Sequence, residues 1–101
     1  MIQSFTEKSK SIIMNAELLA RNSRNLYIYP EHLTIILFRD PSQTLVKIID
    51  EIKLNIQDFK NKLDIQMTKL PIIQSNITDI KIHEDTEKIL KKSLYLANLN
   101  E

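Results

Sequence analysis

The sequence predicts an all-α fold built on a helical repeat, and three observations support it. Apolar residues recur at three- and four-residue spacing in five separate segments. Proline, serine and asparagine stand where those segments would begin. One apolar pattern also occurs twice. A shift of 77 positions lays Phe5 on Ile82, Ile12 on Ile89, Ile13 on Leu90, Ala16 on Ser93, Leu19 on Leu96 and Ala20 on Ala97. These positions would form one face of an amphipathic helix, so the repetition lies in core-forming residues.

The elements follow in order. Ser4-Phe5-Thr6-Glu7 reads as a capping box, with Ser4 as N-cap and Glu7 reaching back to it. The first helix then carries Phe5, Ile12, Ile13, Ala16, Leu19 and Ala20 on its apolar face, and Asn22 to Asn25 break it. A short extended piece, Leu26 to Tyr29, leads into Pro30, whose fixed φ suits the first position of a second helix. That helix is compact and largely buried through Leu33, Ile36 and Leu37, and ends near Arg39-Asp40-Pro41. Ser42 caps a third helix with Leu45, Ile48, Ile49 and Ile52 on one face. Asn55 caps a fourth with Ile56, Phe59, Leu63 and Met67, closed by Pro71. Residues 72–82 lose the helical period and read as a connector, whose β-branched content would support a short strand. The fifth helix runs from about His83 to Leu99. The expected organisation is a four-helix repeat over 1–71, a connector over 72–82, and the first helix of an incomplete second repeat over 83–101.

Composition narrows the function. Apolar residues make up 43% of the 101 and charged ones 27%, ordinary values for a globular chain. Fourteen basic residues against thirteen acidic ones leave a net charge of +1, which gives no electrostatic footprint for nucleic acid. With no cysteine there is no disulfide, no thiol nucleophile and no common zinc site. No apolar run is long enough for a membrane span and no signal-peptide profile opens the chain, so a soluble cytoplasmic protein without membrane partners is expected. The absence of glycine excludes most. Phosphate-binding loops need glycine for backbone N–H groups to close around phosphate, so no nucleotide cofactor is expected. Helix C-caps must then use other residues, and Asn22, Asn25, Asn98 and Asn100 are the candidates.

No catalytic constellation emerges. His32 and His83 are the only histidines and have only Glu31, Glu84 and Asp85 as neighbouring ligands, so both read as structural or surface groups rather than metal ligands. Asp50-Glu51 and Glu84-Asp85 lie beside lysines on amphipathic helices and read as solvated faces. The second pair falls in a helix's first turn, where negative charge is favoured. Lys88, Lys91 and Lys92 form a basic strip of the kind that usually marks a solvated face.

Taken in order, these segments resemble the N-terminal domain of Clp-type AAA+ unfoldases, most closely the ClpB-type disaggregases. The resemblance runs from Phe5-Thr6-Glu7-Lys8 through Ala16 and Leu19-Ala20, peaks at Pro30-Glu31-His32-Leu33, and continues through Leu45 to Leu63 and Lys69-Leu70-Pro71. The last helix resembles the opening helix of the family's second repeat, so the chain reads as truncated within that repeat. Two joins where the family usually carries glycine have Ser23-Arg24 and Lys53-Leu54-Asn55 here, and should be strained or rebuilt.

The resemblance implies a protein-binding module rather than an enzyme. It would engage unfolded or aggregated polypeptide, or a protein adaptor, and hand it to AAA+ ATPase modules that these residues do not include. It places Thr6 near the substrate-facing surface, although a plain first-turn role fits equally. It makes Leu96, with Leu90 and Leu94, the candidate lining of an apolar groove. Core is the competing reading: Ile89, Leu90 and Leu96 all match core positions of the first helix, and Ile89 is favoured as core. Lys92 stands where the family often has an apolar residue. The alternative function is a helical interaction protein that self-associates, as a homodimer, through its incomplete repeat, because exposed Leu and Ile side chains favour association.

Overall fold

The computed structural model describes residues 7–74 and 79–99, with side chains described through Lys92. Five helices appear in the expected order: α1 Glu7–Asn22, α2 Pro30–Arg39, α3 Gln43–Glu51, α4 Ile56–Thr68 and α5 Glu84–Leu99. Two two-residue strands, β1 Tyr27–Ile28 and β2 Lys81–Ile82, precede α2 and α5. The fold is all-α, and the strand expected in the connector exists as β2. It pairs in parallel with β1, Tyr27 opposite Lys81 and Ile28 opposite Ile82. Parallel neighbours need a long crossover, supplied here by α2, α3 and α4.

Helix starts follow their capping residues. Ser42 Oγ accepts from the Leu45 N–H at 3.1 Å, and Asn55 Oδ1 from the Asp58 N–H at 3.0 Å. Each satisfies one of the donors that a helix start leaves open. The capping box at Ser4 lies outside the described residues.

The helix ends correct the sequence reading. Among the described residues no asparagine takes the left-handed position; Arg24 (φ 60°) and Lys53 (φ 54°) do, and the candidate Asn100 lies outside them. After α1, the Arg24 N–H reaches the Arg21 carbonyl at 3.1 Å and the Asn25 N–H reaches that of Ala20 at 2.9 Å. After α3, Lys53 bonds Asp50 at 3.2 Å and Leu54 bonds Ile49 at 3.1 Å. Both are Schellman closures, which normally use glycine. The strain expected at these glycine-free joins is therefore present at one residue in each. Lys53→Gly is expected to raise stability by about 0.5–1 kcal/mol, because the left-handed penalty on a side-chain-bearing residue exceeds glycine's entropic cost. Equilibrium urea unfolding checks this, and an unchanged or lower midpoint would refute it.

The core joins Ile13, Ala16 and Ala20 of α1, Ile28 of β1, Leu33 and Ile36 of α2, Ile80 just before β2, and Leu90 of α5. Ala16 and Ala20 are fully buried. Their small side chains suit the close approach of α1 and α2, which share the most extensive helix contact. Thr86 is also buried, and its hydroxyl donates to the Ile28 carbonyl at 2.7 Å. The His83 N–H donates to the same oxygen at 3.1 Å. Together these bonds pin the start of α5 onto β1.

Thr86 and Leu90, one turn apart, set the face that α5 turns inward. Ile89, favoured as core, is 47% exposed instead. The 77-residue repeat keeps the phase, since Ile13 and Leu90 are 7% and 8% exposed. The match to Ile12 places Ile89 inside, whereas the buried Thr86 and Leu90 turn the inward face away from it. Leu37 departs likewise, at 42% exposed on a helix expected to be largely buried.

Away from this centre the packing thins. Phe38 of α2 meets Phe59 of α4 with ring centroids 4.9 Å apart. Neither α3 nor α4 contributes a buried residue.

Candidate functional site

The Pro-Glu-His-Leu motif organises a buried polar chain. Tyr29 is the N-cap of α2 with extended backbone (φ −88°, ψ 161°), Pro30 occupies the first helical position, and His32 falls at the third. His32 Nδ1 accepts the Tyr29 N–H at 2.8 Å. That nitrogen must be unprotonated, so Nε2 carries the hydrogen and donates to Asn25 Oδ1 at 2.9 Å. Asn25 Nδ2 then donates to the Pro71 carbonyl at 2.9 Å. His32 and Asn25 are 0% and 1% exposed. Burial pushes the His32 pKa below its ordinary 6.5, because the charged imidazole would lose its hydration.

Arg24 strengthens the same junction. Its carbonyl accepts from the Ile73 N–H at 2.9 Å, and its guanidinium donates to the carbonyls of Ile73 at 3.1 Å and Gln74 at 2.7 Å. The segment after α4 is thereby tied to the turn between α1 and β1. His32 thus bonds at the start of α2, as the motif implied. His83 does structural work too: its Nδ1 accepts the Asp85 N–H at 3.1 Å in the first turn of α5.

This scaffold sets α1, α2 and α5 around an apolar concavity. A cavity of about 180 Å³ is lined by Ser9, Ile12, Ile13, Leu33, Leu37, Ile89 and Leu90. Ile13, Leu33 and Leu90 form its buried floor, and Leu37 and Ile89 its exposed rim. A larger depression of about 520 Å³ between α1 and α2 shares Ile12 and Leu37 with it. Lys8, Asn15, Asn22, Arg39 and Asp40 give that depression polar edges. Such a surface offers apolar contact with a polar border.

The sequence-predicted site residues fare differently. Leu90 belongs to the core and reaches the concavity only as floor. Leu94 and Leu96 lie on α5, but their side chains are outside the described residues, as is Thr6. Sequence reasoning missed Leu37 and Ile89 as rim. No local signal could have found Ile89, because the phase that turns it outward by about 100° from Leu90 is set by the burial of Thr86 against the distant Ile28 carbonyl. Lys92 is exposed and Lys91 pairs with Glu87 at 3.3 Å. Among the described residues, no group of three or more His, Asp and Glu could hold a metal, and no helix is long and apolar enough to cross a membrane.

The Clp repeat (R) N-terminal domain family model matches residues 4–101. The chain belongs to this family. Among similar proteins are the chaperone protein ClpB of Rickettsia typhi and that of Rickettsia prowazekii, each 29% identical across 91% of this chain. ClpB of Rickettsia conorii is 26% identical across 98% of it. The Clp N-domain chain spans about 12% of the length of these relatives. No solved structure gives a significant match. Within this Clp domain, the Pro-Glu-His-Leu motif supplies His32, which bonds both the Tyr29 N–H and Asn25. The family relation supports a chaperone-associated N-terminal module.

Proposed function

We propose that this Clp N-domain is a protein-binding module. It captures exposed apolar segments of unfolded or aggregated polypeptide, or of an adaptor, for handover to AAA+ ATPase modules outside these residues. Residues 1–71 act as one repeat, 72–82 as connector, and 83–101 as the first helix of a second. Support comes chiefly from the apolar concavity at α1, α2 and α5, where Leu37 and Ile89 stay 42% and 47% exposed beside a buried floor. Folded proteins hide their apolar side chains, so a surface of this kind selects segments that have lost their fold. Capture by partial burial of a few side chains is weak, which suits release to a downstream motor.

The test uses a fluorescently labelled, permanently unfolded polypeptide and measures anisotropy on titration with the domain. Leu37→Asp and Ile89→Asp are each expected to weaken binding at least tenfold. Half-burial of such a side chain is worth about 1 kcal/mol, and the new carboxylate would have to be desolvated in addition. Circular dichroism should show both variants folded, since neither side chain fills the core. Equal binding by wild type and variants, or no binding by the wild type, would overturn the reading.

A further inference from the structure

Three aromatic rings gather where β1 and β2 run side by side, and neither the His32 chain nor the concavity uses them. The Tyr29 and His83 rings lie 4.7 Å apart, centroid to centroid, at a tilt of 30°. Tyr27 meets both edge-on, at 6.0 Å and 77° from Tyr29 and at 5.7 Å and 85° from His83. The fold fixes all three. Tyr27 stands opposite Lys81 in the strand pair, Tyr29 caps α2, and the His83 N–H donates to the Ile28 carbonyl. Both polar rings of the close pair are neutral. Burial, and after it the neighbouring Tyr27 and Glu31, push the Tyr29 hydroxyl above its ordinary 10.0, and His83 Nδ1 accepts the Asp85 N–H, as an imidazolium could not.

These rings border a cleft of about 350 Å³, and Ile82, Glu84 and Glu87 complete its lining. Glu84 and Glu87 are three residues apart on α5 and so share one of its faces. Glu87 pairs with Lys91 at 3.3 Å, whereas Glu84 forms no ion pair among the described residues. A helix start favours acidic residues, which accounts for the two glutamates but not for the rings beside them. That start carries roughly half a positive charge, less than the two carboxylates supply, so the cleft is negative. Carboxylates attract a cation, and the negative faces of aromatic rings add to that attraction.

We propose that this cleft is a cation-binding site that takes a lysine or arginine side chain of the captured polypeptide. The charged head lies between the rings and the carboxylates of Glu84 and Glu87, and the methylene stem packs on Ile82. The proposal rests on the polypeptide-capture reading for the source of that side chain. It adds a second selection: a basic residue accompanies the apolar ones. Glu87 and Ile89 are two residues apart, about 200° around α5, so the cleft and the Leu37–Ile89 concavity lie on different sides of that helix.

The test is aromatic proton NMR of the 101-residue chain, titrated with N-acetylarginine amide, its lysine counterpart and its citrulline counterpart. Citrulline keeps the shape of arginine without its charge. Both cationic probes should shift the Tyr27, Tyr29 and His83 ring signals saturably, less so as salt rises, and the citrulline probe should not. Glu84→Gln with Glu87→Gln should raise the dissociation constant about fivefold, and Tyr29→Leu about threefold. The glutamates are not buried, so their double variant keeps its helical circular dichroism even if Tyr29→Leu unfolds. Ile89→Asp should leave probe binding unchanged, because the probes carry no apolar segment. Failure here is therefore distinguishable from failure of the capture reading: unfolded polypeptide that still binds beside probes that do not would overturn the cleft alone. Equal shifts with the citrulline probe, or unchanged affinity in the glutamate double variant, would overturn it too.

Discussion

His32→Ala is expected to destabilise the domain by about 3 kcal/mol or more. The substitution removes the partner of the buried Asn25 Oδ1 and of the partly buried Tyr29 N–H and empties a fully buried site, and each unsatisfied buried group costs about 1–3 kcal/mol. For a domain of this size that corresponds to a fall in Tm of at least about 12 °C. Asn25→Ala should be damaging too, and the double variant less than additive, because the two residues act through one chain of bonds. Thermal unfolding of the three variants decides it. Full additivity would show that the two side chains do not act as a unit.

The same site makes stability depend on pH in a definite direction. His32 is held neutral in the folded domain, with its pKa lowered from 6.5 by burial. As pH falls below 6.5, the unfolded chain takes up a proton that the folded one resists. The stability His32 contributes is therefore fully present above pH 6.5 and is lost as pH falls towards the lowered folded value. Protonation of Nδ1 would also break the bond from Tyr29. Between pH 7.5 and 5.5 the wild type should lose stability, and His32→Gln should lose less over that interval. Parallel losses in the two proteins would exclude His32 as the titrating group.

Leu90→Ala is expected to cost about 2–5 kcal/mol, lowering Tm by roughly 10–25 °C, while Ile89→Ala next to it costs less than about 1 kcal/mol. Leu90 lies in the core cluster with Ile13, Leu33 and Ile36, and its truncation opens a cavity that rigid helices fill poorly. Ile89 is 47% exposed and leaves no such void. The contrast separates structure from recognition on one helix: Leu90 variants should lose binding only through unfolding, and Ile89 variants should lose it while folded. Urea denaturation beside polypeptide titration distinguishes the two. Similar stability losses at both positions would mean that α5 is rotated from its described phase.

Several features were legible in the residues alone. Local rules placed every described helix, because Ser42, Asn55 and Pro30 act within one turn of themselves and apolar periodicity marks the intervening faces. Family membership was readable from the order and spacing of the segments and from their internal repetition, with Pro30-Glu31-His32-Leu33 among them. The strain at Arg24 and Lys53 followed from glycine's absence at two helix ends. The tertiary structure decided the rest. A run such as Ile89-Leu90 contains two adjacent apolar residues, and periodicity cannot choose between them. Burial of Thr86 through its bond to the Ile28 carbonyl, 58 residues away in the chain, makes that choice. The pairing of β1 with β2, the link from Asn25 to Pro71, and the exposure of Leu37 and of Ile48 and Ile52 on α3 are likewise non-local. Each depends on which distant segment lies alongside, whereas capping and periodicity report only on the next few residues.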